Sequence, residues 1–186
     1  LALGHNATLT YGPDGERRVR VEGARARKTD YYVKLEGAKR MGYRSVSIAG
    51  VRCPTMISRI DGILEEARAR TLAYFAPAKL QIGYHVYGRN GVMQHMERPR
   101  NSLSHELGLV IDTVAPDQDL AHAACHHLSG SLLHTHFPGQ FNTSGNLAFP
   151  YSPSELDAGP VYEFSAYHLM RVKSPTELFP VSYEDL

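Results

Sequence analysis

From residue 17 to residue 23 the chain reads RRVRVEG, with Val19 and Val21 alternating against Arg18, Arg20 and Glu22. A period of two is the pattern of a strand wet on one face. Just before it, YGPDGERR (11–18) supplies a turn, Pro13 presetting one turn residue and Asp14-Gly15 the next. DYYVKLEG (30–37) predicts a second strand, and AKRMGYR a link to a third, SVSIAGV (45–51). Over residues 53–75 the period changes. Met56, Ile57, Ile60, Ile63, Leu64, Ala67 and Leu72 recur as on one helix face, Pro54 suits the first turn, and Glu66 and Arg70 can pair on the outer face. KLQIGYHVYG (79–88) alternates again, Asn90-Gly91 marks a turn, and QHMERPRNSLSH reads as a loop. ELGLVIDTVA (106–115) is a continuous apolar run, which predicts a strand buried on both faces or nearly so. A second helix is expected from Pro116 or Asp117 to about residue 135, with Leu120, Ala124, Leu128 and Leu132 on its apolar face, and GPVYEFSAYHLMRV (159–172) closes the order as a strand.

Strands, helix, strand, strand, helix, strand is the order of a ferredoxin-like split βαβ arrangement. The expected fold is therefore α+β: a two-layer, ferredoxin-like sheet with two main helices on one face. Residues 1–28 form an extended segment with a turn and strand, and 29–186 the α+β domain, interrupted by an insertion at 136–158. The opening of that insertion, HFPGQFNTSGNLAFPYSPSE, is turn-rich and almost uncharged, yet carries three phenylalanines and a tyrosine. Loops this long are either disordered or functional. The aromatic residues give this one material to pack with, so it is expected to be ordered. Within it, SPSE (152–155) reads as a helix N-terminus capped by Ser152 or Ser154.

With 186 residues and 42% apolar content the chain can bury a core without a disulfide or metal staple. Cys53 and Cys125 stand in no metal or redox spacing, which suits a reduced, cytoplasmic protein, and no apolar run is long enough to span a membrane. The chain begins at Leu1 with no initiator methionine, which points to a piece of a longer polypeptide, a processed product or an unseen start. Net charge is +1 but divided: 14 Lys/Arg against 8 Asp/Glu over 1–75, and 6 against 11 over 76–186. The basic peak, ERRVRVEGARARK (16–28), alternates as a solvated strand face does and carries no nucleic-acid module signature, so no nucleic-acid partner is expected.

Histidine is the unusual residue. Of ten, four fall within 126–136: His126, His127, His134 and His136. His122 and His126 share a helix face at i, i+4, a spacing that suits two ligands of a zinc ion. The glutamate of H-E-x-x-H is replaced by Ala123, and a polar helix face without metal is the preferred reading. His85 in GYHVYG and His168 in SAYHLM lie within predicted strands, as core residues or as acid–base groups. Glu155, Asp157 and Glu163 are candidate paired carboxylates, or turn and cap residues. In FNTSGN, Asn142, Thr143, Ser144 and Asn146 surround Gly145 with small donors able to present N–H groups to an anion, and Arg89 joins them as a substrate-binding candidate. No Walker or G-x-G-x-x-G spacing occurs.

RVEGARARKTDYYVKLEG, SIAGVRCPTMISRIDGILEEAR, YHVYGRNGVM, HELGLVIDTVA, FPGQFNTSGNLAFPYSPSELDAGPVYEFSAYHLM and PTELFPV together resemble the carboxy-terminal region of the acyclic terpene utilization (AtuA) family, in a longer-chain branch. The resemblance covers nearly the whole chain. It implies a large α/β amino-terminal domain elsewhere, a ferredoxin-like carboxy-terminal region, and a place among catabolic proteins for branched acyl compounds or amino acids. Two functions follow. In one, the chain contributes to a lyase or hydratase-type site, with His85 or His168 as base and Asn142, Thr143, Ser144 and Asn146 as donors to a developing oxyanion, without metal or cofactor. In the other it is a non-catalytic assembly module that docks to the amino-terminal domain, as a companion chain or segment, or to identical subunits in a homo-oligomer.

Overall fold

Ala49 and Val51 on one strand alternate in step with Leu107, Leu109 and Ile111 on its neighbour, and all five are buried. They form the sheet side of one apolar cluster with Met56, Ile57, Ile60, Leu64, Leu128 and Leu132 from the helices. The structure, a computed structural model, describes residues 9–24, 29–98 and 104–184. It divides into two compact units: Ala38–Glu163, and a smaller one made of the stretches through Gly37 and from Phe164 onward.

The elements are β1 (Thr10–Pro13), β2 (Val19–Glu22), β3 (Tyr31–Val51), α1 (Pro54–Ser58), α2 (Ile60–Tyr74), β4 (Gln81–Tyr87), β5 (Leu107–Ala115), α3 (Gln118–His134) and β6 (Glu155–Val172). β1 and β2 form a separate antiparallel pair, as the alternation and turn predict, with Tyr11 opposite Val21. The other four strands form one sheet in the order β4–β5–β3–β6. β5 runs antiparallel to both β3 and β4, with Ser45 opposite Thr113 and Tyr84 opposite Ile111. Each helical connection therefore skips one strand: β3 reaches β4 past β5, and β5 reaches β6 past β3. The α+β class expected from the sequence is the one observed.

Three expectations about elements are corrected, and one holds only in part. The segments 30–37 and 45–51 are not two strands with a link but parts of the 21-residue β3. Within it Gly42, at φ +154°, passes so close to the Ala115 carbonyl that a Cβ would collide with it. The helix expected over 53–75 is broken at Arg59, where φ −114° and ψ 11° end α1 before α2 begins. For β5 only the weaker form of the expectation holds: Leu107, Leu109, Ile111, Thr113 and Ala115 are buried on one face and Val114 on the other, where Gly108 is exposed and Val110 and Asp112 are half-buried. SPSE is no helix start. β6 begins at Glu155, and the Ser154 hydroxyl bonds the Glu155 carboxylate at 3.0 Å. The start of α3 is as read, with Asp117 accepting from Leu120 N–H at 2.9 Å.

The loop from α3 to β6 is ordered and packed. Leu147 and Asn146 are buried, and Phe137 and Phe149 lie against the core. Ala148 forms a two-bond bridge to Gly50, 2.8 and 2.9 Å, on the stretch of β3 that precedes Pro54. Gly145 adopts φ +138°, and a Cβ there would lie 2.6 Å from Leu133 Cδ1, so glycine alone fits. Among the described residues no helix is long and apolar enough to cross a membrane.

Candidate functional site

Where β6 enters the sheet it faces α3, and two periods come into step. Two strand residues advance about 6.6 Å and four helix residues about 6 Å. Asp157 and Glu155 therefore meet His122 and His126 one to one. His122 Nδ1 lies 2.9 Å from Asp157 Oδ1, and His126 Nδ1 lies 3.3 Å from Glu155 Oε2. Each carboxylate is also held by a buried serine: Ser45 Oγ donates to Asp157 Oδ1 at 2.7 Å, and Ser129 Oγ donates to Glu155 Oε1. Ser45 in turn accepts from Gln118 Nε2 at 2.8 Å. The result is a duplicated serine–carboxylate–histidine arrangement on one helix and one strand.

The electrostatics keep both carboxylates charged. The Ser45 hydroxyl, and then His122, hold Asp157 below the usual aspartate value. Burial pushes Glu155 up, but hydrogen bonds from Ser129, Ser154 and His126 outweigh it, so Glu155 also lies below its ordinary value. An ionised carboxylate on Nδ1 fixes the tautomer that carries its proton there and leaves Nε2 as the basic nitrogen. Both imidazoles are solvent-accessible, His126 at 75% of its side chain. They can take a proton or a metal ion on the outer nitrogen.

The rest of the histidine group does not join them. His127 stacks on Tyr74 with centroids 4.5 Å apart and lies 3.1 Å from Thr71 Oγ1. Burial, then the Arg70 charge, lowers its pKa. His136 bonds Gln140 at 3.1 Å, and His134 is exposed at the end of α3. Among the described residues no three His, Cys, Asp or Glu side chains converge on one metal position. Both cysteines are free and buried, and burial pushes Cys125 up to about 12.

The residues singled out from the sequence are dispersed. His85 sits on edge strand β4 opposite Val110, on the face the helices leave uncovered, with Nδ1 3.0 Å from Gln94 Nε2. His168 is exposed on the part of β6 belonging to the smaller unit. Arg89 pairs with Asp61 and lines a cavity of about 280 Å³ with Tyr87, Gly88, Gly91, Val92, Glu97 and Ser104. Thr143 and Ser144 are exposed and Asn142 half-buried. Asn146 is 2% exposed, and its amide is occupied within the protein: Nδ2 donates to Leu132 O at 3.1 Å and Thr135 O at 2.7 Å, and Oδ1 accepts from Gln140 Nε2 at 3.0 Å. Its role here is to hold the loop onto the end of α3.

The sequence points to His122 with His126 as a pair, and to Glu155, Asp157 and Glu163 as a group of carboxylates. It does not show that Glu155 and Asp157 face the two histidines. The available signal was the alternation of Glu155 and Asp157, which marks one face of a strand once SPSE is not read as a helix cap.

Comparison of the chain with protein-family models, curated proteins and solved structures finds no match in any of the three.

Proposed function

We propose that the chain is an assembly module whose smaller unit docks to identical subunits, or to a companion amino-terminal domain. The observation that carries this reading is the surface of that unit. On the β1–β2 hairpin, Tyr11, Val19 and Val21 lie on one face and are more than half exposed. On the outer parts of β3 and β6, Tyr32, Phe164 and Tyr167 are also more than half exposed. Two-stranded ribbons are marginal alone in water, and contiguous apolar surface marks an interaction site. A strand order of β4–β5–β3–β6 with two split crossovers supports reading the larger unit as ferredoxin-like, a scaffold on which such an extension is carried.

Sedimentation over a dilution series tests the proposal. The expected result is a species larger than one chain that dissociates in a Phe164→Ser/Tyr167→Ser variant. A chain that stays monomeric and does not bind a companion domain overturns it.

A second reading is favoured by the two histidine–carboxylate pairs. In it the chain belongs with the AtuA proteins it resembles and contributes, in the cytoplasm, to a lyase or hydratase-type site for a branched acyl or amino-acid substrate. A carboxylate-oriented imidazole is a suitable general base. His122 and His126 then take the role that the sequence gives to His85 and His168.

A further inference from the structure

We propose that His122 and His126 form a two-imidazole site for a divalent late first-row transition ion such as zinc, with Asp157 and Glu155 as the carboxylates that orient the rings. Three features converge on it. The i, i+4 spacing on α3 puts the two rings on one helix face, with Cβ atoms about 6 Å apart, a separation one tetrahedral ion can bridge. Metal-binding histidines almost always give their other ring N–H to a carboxylate or carbonyl; here His122 Nδ1 bonds Asp157 at 2.9 Å, and His126 Nδ1 lies 3.3 Å from Glu155 Oε2. The orienting carboxylates are themselves fixed: Asp157 by Ser45 and Glu155 by Ser129, two buried hydroxyls.

The chemistry selects the ion. Neutral imidazole nitrogen prefers zinc, nickel and copper over magnesium or calcium, which take oxygen. The carboxylates are engaged on Nδ1 and on serine, so the free donors are the two Nε2 atoms. The remaining positions on the ion are open to water or to a donor from another chain. Such a site is weaker than a closed four-ligand centre and exchanges readily.

Calorimetric titration of the folded full chain with zinc chloride at neutral pH tests this. One equivalent is expected to bind. His122→Ala/His126→Ala should abolish that binding, and both positions are on the helix surface, so the variant should keep the circular dichroism of the parent. Asp157→Asn, which can still accept from Ser45, should weaken binding about 10- to 100-fold. His85→Ala/His168→Ala should leave it unchanged. Absence of saturable binding, retention of the full stoichiometry in His122→Ala/His126→Ala, or an unchanged affinity in Asp157→Asn each overturns the proposal.

Discussion

Asn146 Nδ2 lies 2.7 Å from the carbonyl oxygen of Thr135, the residue that ends α3, and the same nitrogen lies 3.1 Å from the carbonyl of Leu132. One buried side chain thus satisfies two helix-end acceptors that would otherwise have no partner. Asn146→Ala removes both bonds and strands the Gln140 amide. The expected cost is about 2–3 kcal/mol in urea unfolding, with faster amide exchange across 136–150. An unchanged midpoint would show that water replaces the amide at no cost.

Acid should destabilise the protein in two separate windows. Asp157 and Glu155 have pKa values lowered by folding, so the unfolded chain binds more protons than the native one. Their contribution is present above the ordinary carboxylate value of about 4 and is lost as pH falls through the lower native values. His127 is also lowered, so its contribution is complete above about 6.5 and is lost as pH falls through its native value. Asp157→Asn should flatten the lower window. His127→Phe, which keeps a ring on Tyr74, should flatten the upper one. Urea midpoints between neutral and acid pH report both.

Gly42→Ala should be among the most damaging substitutions in the sheet. The new Cβ would meet the Ala115 carbonyl, a backbone atom that cannot rotate away, at a φ that L-residues rarely adopt. A loss of about 2–3 kcal/mol or more is expected from thermal unfolding. A variant as stable as the parent would mean that β3 and β5 shift apart at Gly42 and Ala115 at no cost.

Ser47→Ala should go the other way. Ser47 is fully buried, and its hydroxyl has no hydrogen-bond partner among the described residues. Removing an unpaired buried polar group recovers desolvation, so the variant is expected to be neutral or more stable by up to about 1 kcal/mol. Destabilisation beyond that would reveal a partner for the hydroxyl.

Legibility followed the length scale of the interaction. The helical period over 53–75 and the Asp117 cap are local signals, and both are visible in the sequence. The continuity of β3 was not, because AKRMGYR carries glycine and three basic residues where a strand usually carries β-branched ones. What keeps it in the sheet is pairing with β5, a partner some 70 residues on: Tyr43 opposite Ala115 and Arg44 opposite Val114. The site shows the same limit. Each half of the His122–Asp157 and His126–Glu155 pairs is a local pattern, whereas their meeting depends on β6 starting at Glu155. Asn146 reads from the sequence as a donor to a substrate anion, and nothing local reveals that its amide is turned inward toward Leu132 and Thr135.

The bridge between Gly50 and Ala148 has a bearing on how the chain behaves in a crowded solution. A bare strand end is a growth point: its open amides and carbonyls can recruit any extended peptide that drifts past. The loop occupies that seat with both bonds, presenting Pro150 and Pro153 directly afterward, residues that cannot donate to a further ladder. Shortening the loop to the few residues a connection needs would take Leu147 out of the core and, at Gly50, unseal the ladder, turning a finished edge into a seed for fibrils.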